Sequence, residues 1–285
     1  MSPPPASEAN LVVQSASAGA ADAAAIADLC GAAAPERIGE HAWRLRGAQR
    51  RERVPAWCET RRLDYAWIPE GQRFAELKLL AMDMDSTLIT IECIDELGGL
   101  FNKKTEIAAI TARAMRGELD FQASLRERVR LLAGLEEEAL LEVYDEKLRL
   151  SPGAEALIEA CKRHGVKLLL VSGGFTFFTE RLKERLGLDE TISNVLEIDA
   201  GKLTGNVLGT IVDADAKADK FRHLAQRLGA AKAQTVAIGD GANDLKMMAE
   251  AGVSVAYRAK PIVRQQATHA LSYSGLDAVL HLFEA

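Results

Sequence analysis

Two aspartates follow directly after an apolar segment near residue 80. The stretch LKLLAMDMDSTLITIE, residues 77–92, ends a predicted buried strand with Asp83 and Asp85, one residue apart. Carboxylates this close repel each other unless solvent or a cation offsets their charge. A lone D-x-D pair after a strand is more often a turn or a helix cap than a site. Whether this pair does chemistry therefore depends on the groups that the fold brings beside it.

Two further polar clusters have the residue types of a phosphate and metal site. VKLLLV is followed by SGG, residues 172–174, where a hydroxyl and a backbone N–H could bind phosphate oxygens, unless the glycines serve only a tight turn. TVAI is followed by GDGAND, which contains Asp240, Asn243 and Asp244. This segment partly matches G-x-G-x-x-G, but its sixth position is acidic and would repel a pyrophosphate. We therefore expect a cation site here and no nucleotide site.

Together these residue types suit phosphoryl transfer assisted by Mg²⁺. The carboxylates of Asp83, Asp85 and Asp240 can supply hard oxygen ligands, and Mg²⁺ usually bridges such groups to a substrate phosphate. A cationic side chain is also needed to balance the transferring group. Lys217, in DADAKADKF, is the candidate and Lys220 is the alternative, although any single lysine is more often a plain surface residue.

Short apolar segments that alternate with helical segments must position these clusters. From residue 77 onward, LKLLAM, VKLLLV, TVAI and VSVAY predict buried strands. Helices are predicted from Ser151 to Gly165, from just after Phe175 to Gly187 and from about Ala216 to Leu228. This order predicts an α/β fold with a doubly wound parallel sheet, in which ligands bind at the carboxyl ends of the strands. We therefore expect the three clusters to meet in one crevice.

The first 75 residues have a different rhythm and no catalytic cluster. A strand from Leu11 to Gln14, an Ala-rich helix to Cys30, the alternating segment HAWRLRG, an amphipathic stretch and LDYAWIP predict a small α+β domain. Its boundary is expected at residues 69–71. The seven arginines of residues 44–62 are interpreted as a solvated face, with an anionic partner or a subunit contact as the alternative.

Composition argues against several classes of protein. The 285 residues are 48% hydrophobic, enough for a sizeable core, and the net charge of −6 leaves no basic footprint for nucleic acid. No signal peptide and no bilayer-spanning run is recognisable. The four cysteines lack metal spacing, so we expect small buried hydrophobes. A cytoplasmic protein without nucleic-acid or membrane partners is expected, and a homodimer is an option that the sequence leaves open.

The order of these motifs resembles the haloacid dehalogenase (HAD) superfamily of phosphotransferases. The matching pieces are DMDST, SGG, Lys217 and GDGAND, in that order. Further pieces resemble the phosphoserine phosphatases within it, namely DSTLI followed by Glu92 and IDELG, AMRGELDFQASLRERVRLL, VSGGF, GKLTGNV and GDGANDLKMM. The resemblance covers about residues 77–285.

The resemblance implies a domain organisation. A HAD-like, Rossmannoid core would span residues 76–285, with a helical cap inserted at about 92–150. Residues 1–75 are similar, in composition and order alone, to the small ACT-type regulatory domains attached to some bacterial members. Whether they bind an effector is left open.

The resemblance also implies a mechanism. Asp83 would attack phosphorus to form an aspartyl-phosphate, and Asp85 would act first as general acid and then as base. Mg²⁺ would be held by Asp83, by the backbone carbonyl of Asp85 and by Asp240. The phosphate pocket would consist of Ser172, Gly173, Lys217 and Asn243, with Asp244 behind them.

The cap would then choose the substrate, which the resemblance implies is O-phospho-L-serine in the last step of serine biosynthesis. Glu92 would bind its ammonium group and Arg128 its carboxylate, because a guanidinium matches a carboxylate bidentately. Arg126 is the rival for the second role. Met115 and Phe121 would supply apolar lining.

Three alternatives remain. A related phosphatase or phosphotransferase could act on another small phosphomonoester, and the pair Glu92 and Arg128 argues against it. A receiver-type signalling domain also phosphorylates an aspartate beside Mg²⁺, but it has no reason to enclose its phosphate under a cap. A serine-binding regulator would rest on the N-terminal residues alone.

Overall fold

Two β-sheets organise residues 9–284, which the computed structural model describes. The first eight residues of the predicted N-terminal domain, and Ala285, lie outside the described residues. The strands are β1 (Ala9–Gln14), β2 (Glu36–Gly39), β3 (Ala42–Leu45), β4 (Asp64–Pro69), β5 (Leu79–Asp83), β6 (Lys167–Phe175), β7 (Glu190–Asp199), β8 (Lys202–Leu208), β9 (Thr235–Gly239), β10 (Val253–Tyr257) and β11 (His269–Leu271). The α-helices are α1 (Ala20–Cys30), α2 (Val54–Arg61), α3 (Cys93–Leu100), α4 (Lys104–Met115), α5 (Phe121–Arg130), α6 (Glu138–Glu142), α7 (Ala154–Arg163), α8 (Thr176–Leu186), α9 (Ala214–Arg227), α10 (Leu245–Glu250) and α11 (Pro261–Gln266).

The larger sheet has seven strands in the order β11-β10-β9-β5-β6-β7-β8, and every neighbouring pair except β7–β8 is parallel. The four apolar segments predicted as strands form β5, β6, β9 and β10, so the α/β fold class is confirmed. These strands are buried along nearly their whole length, as expected for a sheet covered on both faces.

The register of the central strands brings the polar clusters together. Asp83 pairs with Val171, directly before the SGG segment, and Met82 pairs with Ile238, two residues before Asp240. Because the strands are parallel, their carboxyl ends meet at one edge of the sheet. The three clusters therefore meet at one edge of the sheet, as expected.

The hairpin of β7 and β8 corrects the expectation of a wholly parallel sheet, because these two strands run antiparallel. Between them, Ala200 and Gly201 both have positive φ, at 47° and 77°. Two positive φ angles are typical of the tight turn whose twist matches antiparallel strands. An alanine at the first of these positions hides that signal in the sequence.

The three helices predicted after residue 150 are present, and the starts of the first and the third are shifted. The first begins at Ala154 and not at Ser151, because Gly153 takes φ of 78° and forms the N-cap. A Cβ atom there would clash with Asp277, so the position requires glycine. The other two are α8, which ends before Gly187, and α9.

Helices α3 to α6 lie between β5 and β6 in the chain, within the predicted cap segment. Helix α4 packs against both α3 and α5, and α5 packs against β8. No helix among residues 9–284 is long and apolar enough to cross a membrane. The four cysteines are free and buried, as predicted.

The smaller sheet has the order β2-β3-β1-β4 and a β-α-β-β-α-β chain path, which is the ferredoxin-like arrangement. Alternate residues such as Leu11, Val13 and Leu45 pack with α1 and α2. Val12 and Ile68 point to the opposite face, in the same hydrophobic cluster as the large sheet. The ACT-like character and the boundary near residue 75 stay predictions.

Polar contacts also join the smaller sheet to the C-terminal segment. The Asp64 carboxylate accepts backbone N–H groups from Ser272, Tyr273 and Ser274 at 2.7–3.0 Å. Arg44 donates to the Phe283 carbonyl at 2.7 Å and is only 7% exposed. The interpretation of a solvated arginine face is therefore wrong for Arg44, whose guanidinium is buried and binds the Phe283 carbonyl.

Candidate active site

A buried ion-pair cluster lies at the carboxyl edge of the large sheet. The Lys217 ammonium, in the first turn of α9, donates to Asp83 and, at 2.8 Å, to Asp244. The three side chains are 1%, 7% and 0% exposed, respectively. Lys220 pairs instead with Glu190, at 2.6 Å. The fold therefore brings Lys217, and not its rival, to the aspartate that ends β5.

Carboxylate oxygens of Asp83, Asp240 and Asp244 lie within 4.8 Å of one another. Burial and the charge of Asp244 raise the pKa of Asp83 well above its ordinary value, against the attraction of Lys217. The same two causes raise the pKa of Asp240 to about 6. Burial disfavours the Lys217 ammonium, yet the two aspartates outweigh it and raise its pKa. One lysine thus leaves negative charge in excess, as expected where a cation binds.

The Asp85 carboxylate points away from that cluster. One oxygen accepts the backbone N–H of Cys93, at the start of α3, at 2.9 Å, and the other accepts the Ser172 hydroxyl at 3.3 Å. Burial raises the pKa of Asp85, although the Cys93 N–H opposes this. Among the three predicted metal ligands, Asp85 is thus the one whose side chain lies outside the acidic cluster. Its predicted contribution to the metal site is accordingly the backbone carbonyl and not the carboxylate.

The SGG segment interrupts the ladder between β6 and β7, where the register shifts between Val171 and Phe175. Neither glycine has positive φ, so the tight-turn interpretation is wrong. Space is the reason for glycine instead. A Cβ atom at Gly173 would lie 2.8 Å from the Phe121 ring, and one at Gly174 would lie 2.8 Å from an Asp85 oxygen.

The GDGAND segment forms a short turn after β9. Asp244 is fully buried and accepts the Gly241 N–H at 3.1 Å. A Cβ atom at Gly239 would lie 2.5 Å from the Asp244 carboxyl group, and one at Gly241 would clash with the Asn243 amide oxygen. The glycines therefore let both side chains fold back over the end of the strand.

Glu92 and Arg128 face the same region from the cap side. The Ser86 hydroxyl donates to Glu92 at 2.7 Å. Glu92 is exposed as a residue, yet desolvation of its carboxyl group and the nearby Asp85 raise its pKa to about 7. Arg128 is half-buried, and burial lowers its pKa against the attraction of Asp95, Glu92 and Asp85. Arg126 is exposed, so the fold favours Arg128 for this face.

The two predicted apolar lining residues differ in their surroundings. Phe121 begins α5 and its ring lies over Gly173. Met115 ends α4 and is 69% exposed. Phe121 thus belongs to the cluster, whereas Met115 reaches solvent at the cap surface.

Sequence reasoning missed several polar contacts of the site. Asn194, on β7 and 1% exposed, donates to the Gly173 carbonyl at 2.9 Å and accepts the Val212 N–H at 2.8 Å. The Ser86 hydroxyl, which donates to Glu92, was not predicted as part of the site. The Cys93 N–H was missed because any residue type supplies it. Asn194 lies in a segment for which no strand was predicted, so the sequence carried no signal for it.

A family model described as haloacid dehalogenase-like hydrolase matches residues 80–249, which is more than half of the chain. The chain therefore belongs to the haloacid dehalogenase-like hydrolases. A second model, described as a domain of unknown function (DUF4072), matches residues 11–54.

Relatives and solved structures narrow the group to the phosphoserine phosphatases. A phosphoserine phosphatase of Polaromonas sp. (strain JS666) is 52% identical over 215 residues, which cover 74% of this chain and 91% of the relative. The unliganded crystal structure of a probable phosphoserine phosphatase from Vibrio cholerae is similar over 97% of this chain and 86% of its own, with a TM-score of 0.83 and 38% identity. A phospho-aspartyl intermediate analogue of phosphoserine phosphatase is similar over 73% of this chain and 99% of its own, with a TM-score of 0.69 and 38% identity.

Proposed function

We propose that the chain is a Mg²⁺-dependent phosphoserine phosphatase, which hydrolyses O-phospho-L-serine to L-serine and inorganic phosphate. One observation carries the proposal. A buried lysine bridges Asp83 and Asp244 at the end of β5, and a carboxylate (Glu92) and a guanidinium (Arg128) lie near the neighbouring Asp85. The lysine suits the phosphate of O-phospho-L-serine, and the carboxylate and guanidinium suit its amino-acid part.

Asp83 is the nucleophile in this proposal. Its carboxylate oxygen attacks phosphorus, the bond from phosphorus to the seryl oxygen breaks, and an aspartyl-phosphate forms. Water then attacks that phosphorus, and inorganic phosphate leaves with the carboxylate restored. Two easier displacements thus replace one difficult hydrolysis, and the intermediate analogue of a related phosphatase supports this route.

Asp85 is the proton-transfer group. The Cys93 N–H and the Ser172 hydroxyl fix its two oxygens, so the carboxyl group has a set direction. Its raised pKa favours a protonated carboxyl, which can donate to the departing seryl oxygen. The resulting carboxylate then accepts a proton from the attacking water.

The residues present suit Mg²⁺. Asp83 and Asp240 supply carboxylate oxygens and Asp85 a backbone carbonyl, which are the hard donors that this ion prefers. When bound, Mg²⁺ supplies positive charge against the oxygens of the transferring phosphoryl group. Asp244 holds Lys217 and so belongs behind the ligands rather than among them.

Lys217, the Gly173 N–H and Asn243 bind the phosphate in this proposal, and Ser172, whose hydroxyl donates to Asp85 in the substrate-free protein, lies beside them. Lys217 is held by two carboxylates, so little reorganisation is needed when charge develops on phosphoryl oxygens. The bulge of β6 leaves the Gly173 N–H outside the strand ladder, where it can donate to a ligand.

Glu92 and Arg128 select the amino-acid half. Glu92 attracts the ammonium group and Arg128 the carboxylate, while Phe121 covers the methylene. The proposed substrate is a small soluble metabolite, which fits the predicted cytoplasmic location. A receiver-type role does not agree with membership of the hydrolase family.

A specificity panel tests the proposal. With Mg²⁺, the wild type should release phosphate from O-phospho-L-serine faster than from phosphothreonine, phenyl phosphate or sugar phosphates. Arg128→Ala should lower kcat/KM for phosphoserine about 10²-fold and leave phenyl phosphate nearly unchanged, because an unpaired carboxylate is costly. Arg126→Ala is the matched control and should stay within about twofold of wild type. Equal rates on sugar phosphates would reject the amino-acid substrate and favour the alternative of another phosphomonoester.

A further inference from the structure

Helix α5 carries two of the proposed substrate-facing residues, Phe121 and Arg128, and its C-terminal end is fixed to the core. The Gly134 N–H donates to the Leu203 carbonyl at 2.8 Å, and the Leu203 N–H donates to the Leu135 carbonyl at 2.9 Å. Gly205 lets β8 approach α5 closely, since a Cβ atom there would lie 2.9 Å from Ala133. Main-chain bonds therefore anchor this end of the helix.

The N-terminal end of α5 is held differently, by side chains. The Gln122 amide Nε2 donates to the Asp213 carboxylate at 2.8 Å, across 91 residues of sequence. Gln122 directly follows Phe121, whose ring lies over Gly173. The side-chain bond and the ring contact thus meet the core within one turn of the helix.

Asp213 is a fixed acceptor. As N-cap of α9, its other oxygen accepts the N–H groups of Asp215 and Ala216, both at 3.1 Å. The backbone N–H of Lys217 donates to the Asp213 carbonyl at 3.0 Å. The N–H of Ala216 and the Gln122 amide hold the pKa of Asp213 below its ordinary value, so the acceptor is an anion. Gln122 therefore ties the cap to the turn that presents Lys217.

We propose that Gln122 is a positioning residue, which holds the cap closed through Asp213 so that Phe121 and Arg128 face the phosphate segment. This inference rests on the proposed function for its kinetic part alone. Gln122 touches neither substrate nor reacting atoms and acts through the angle of α5, a helix anchored at its other end. A positive side chain at position 122 should consequently strengthen the contact with the Asp213 carboxylate, and a negative one should weaken it.

Three substitutions at one position test that sign dependence. Gln122→Ala removes the bond and should raise KM for phosphoserine about fivefold. Gln122→Glu places a second anion beside Asp213 and should raise KM further, by about 10-fold or more. Gln122→Lys forms an ion pair with Asp213 and should keep KM at or below the wild-type value. In all three, kcat should stay within about twofold, because the groups that react are untouched.

Gln226→Ala is the matched control. Gln226 is an exposed glutamine on α9, remote in sequence from the cap, so its removal should leave KM unchanged. Equal KM in Gln122→Ala, Gln122→Glu and the wild type would overturn the proposal. A fall in kcat at constant KM would also overturn it, since that pattern belongs to a group acting in the chemical step.

Hydrogen exchange of the substrate-free protein separates this inference from the proposed function. Amides of residues 121–125 should exchange faster in Gln122→Ala and Gln122→Glu than in the wild type, and Gln122→Lys should match the wild type. If the exchange rates follow this order but phosphoserine is not turned over, the proposed function is rejected and the contact between Gln122 and Asp213 is retained. Turnover with unchanged exchange in every variant would retain the function and reject the contact.

Discussion

The ion-pair cluster of Lys217, Asp83 and Asp244 on the core side of the site is almost fully buried, whereas the side chains that the cap contributes are half-buried or exposed. In the core, the Lys217 side chain is 1% exposed and Asp244 is 0% exposed. In the cap, Arg113 pairs with Glu118 and Glu127 while 42% exposed, and Met115 is 69% exposed. Ion pairs thus serve both regions, but solvent screens those of the cap.

That difference in burial agrees with a division of roles, in which core residues carry out the phosphoryl transfer and cap residues select the substrate. Charges in a dry, rigid environment interact strongly and need no rearrangement, which suits groups that stabilise a transferring phosphoryl group. Cap residues must admit a substrate and release a product, so weaker and more exposed contacts suit them. Variants of the core should consequently change catalysis or stability strongly, and variants of the cap should change affinity.

The largest effect is expected for Asp83→Asn. The amide cannot attack phosphorus, so turnover of phosphoserine should fall by at least about 10³-fold. The fold should persist, because the change removes one negative charge from a cluster with an excess of it. Phosphate release and urea unfolding of the same preparation measure both outcomes.

An active Asp83→Asn variant would show that the nucleophile is another group. If Asp83→Asn does not fold, Asp83→Glu tests the role of Asp83 instead, because it keeps the negative charge and moves the attacking oxygen. That variant should fold and also lose turnover.

The next effect is on stability, for Lys217→Met. Removing the ammonium leaves Asp83 and Asp244 buried without a partner, so the free energy of unfolding should fall by about 3–5 kcal/mol. Urea unfolding at pH 7 without metal measures it.

Two control variants sharpen the contrast between regions. Lys220→Met, on the same helix, removes the pair with Glu190, and Arg113→Met removes exposed pairs of the cap. Each should change the free energy of unfolding by no more than about 1 kcal/mol. An equal loss in Arg113→Met and Lys217→Met would end the distinction drawn between core and cap.

The smallest effect concerns pH and the metal. In the metal-free protein the pKa of Asp240 is about 6, above its ordinary value, so the folded state favours the protonated form. The resulting stability is fully present below about pH 4 and is lost as pH rises through 6. Relative to Asp240→Asn, the wild type should therefore lose about 1–3 kcal/mol between pH 4 and 7.

Mg²⁺ should reverse that loss at pH 7, because a cation favours the ionised carboxylate. Urea unfolding of both proteins, with and without Mg²⁺, measures the difference while other titrating groups cancel. Parallel pH curves for the two metal-free proteins would contradict the raised pKa of Asp240.

Much of the core site could be predicted from the sequence, because local rules generate it. An apolar strand followed by polar residues marks the carboxyl edge of a sheet, and this pattern located Asp83, the SGG segment and Asp240. The sequence favoured Lys217 over Lys220 without deciding between them, and the ion pair of Lys217 with Asp83 makes that choice.

Contacts between distant segments could not be predicted in the same way. Asn194 reaches a carbonyl 21 residues away because β6 bulges at that point, and neither segment encodes the bulge by itself. Gln122 meets Asp213 across 91 residues because the packing of α5 on β8 brings the two segments together. A polar residue on a predicted helix or strand gives no sign of which partner will face it.

The sequence by itself determined the α/β class, the strands that end in polar residues and the residue types of the reaction, because hydrophobic periodicity and side-chain chemistry are local properties. Only the tertiary structure decided the antiparallel hairpin at the edge of the sheet, the shared core of the two sheets and which lysine and which arginine face the crevice. Those outcomes depend on packing and register between segments far apart in the chain, where many partners compete for each surface.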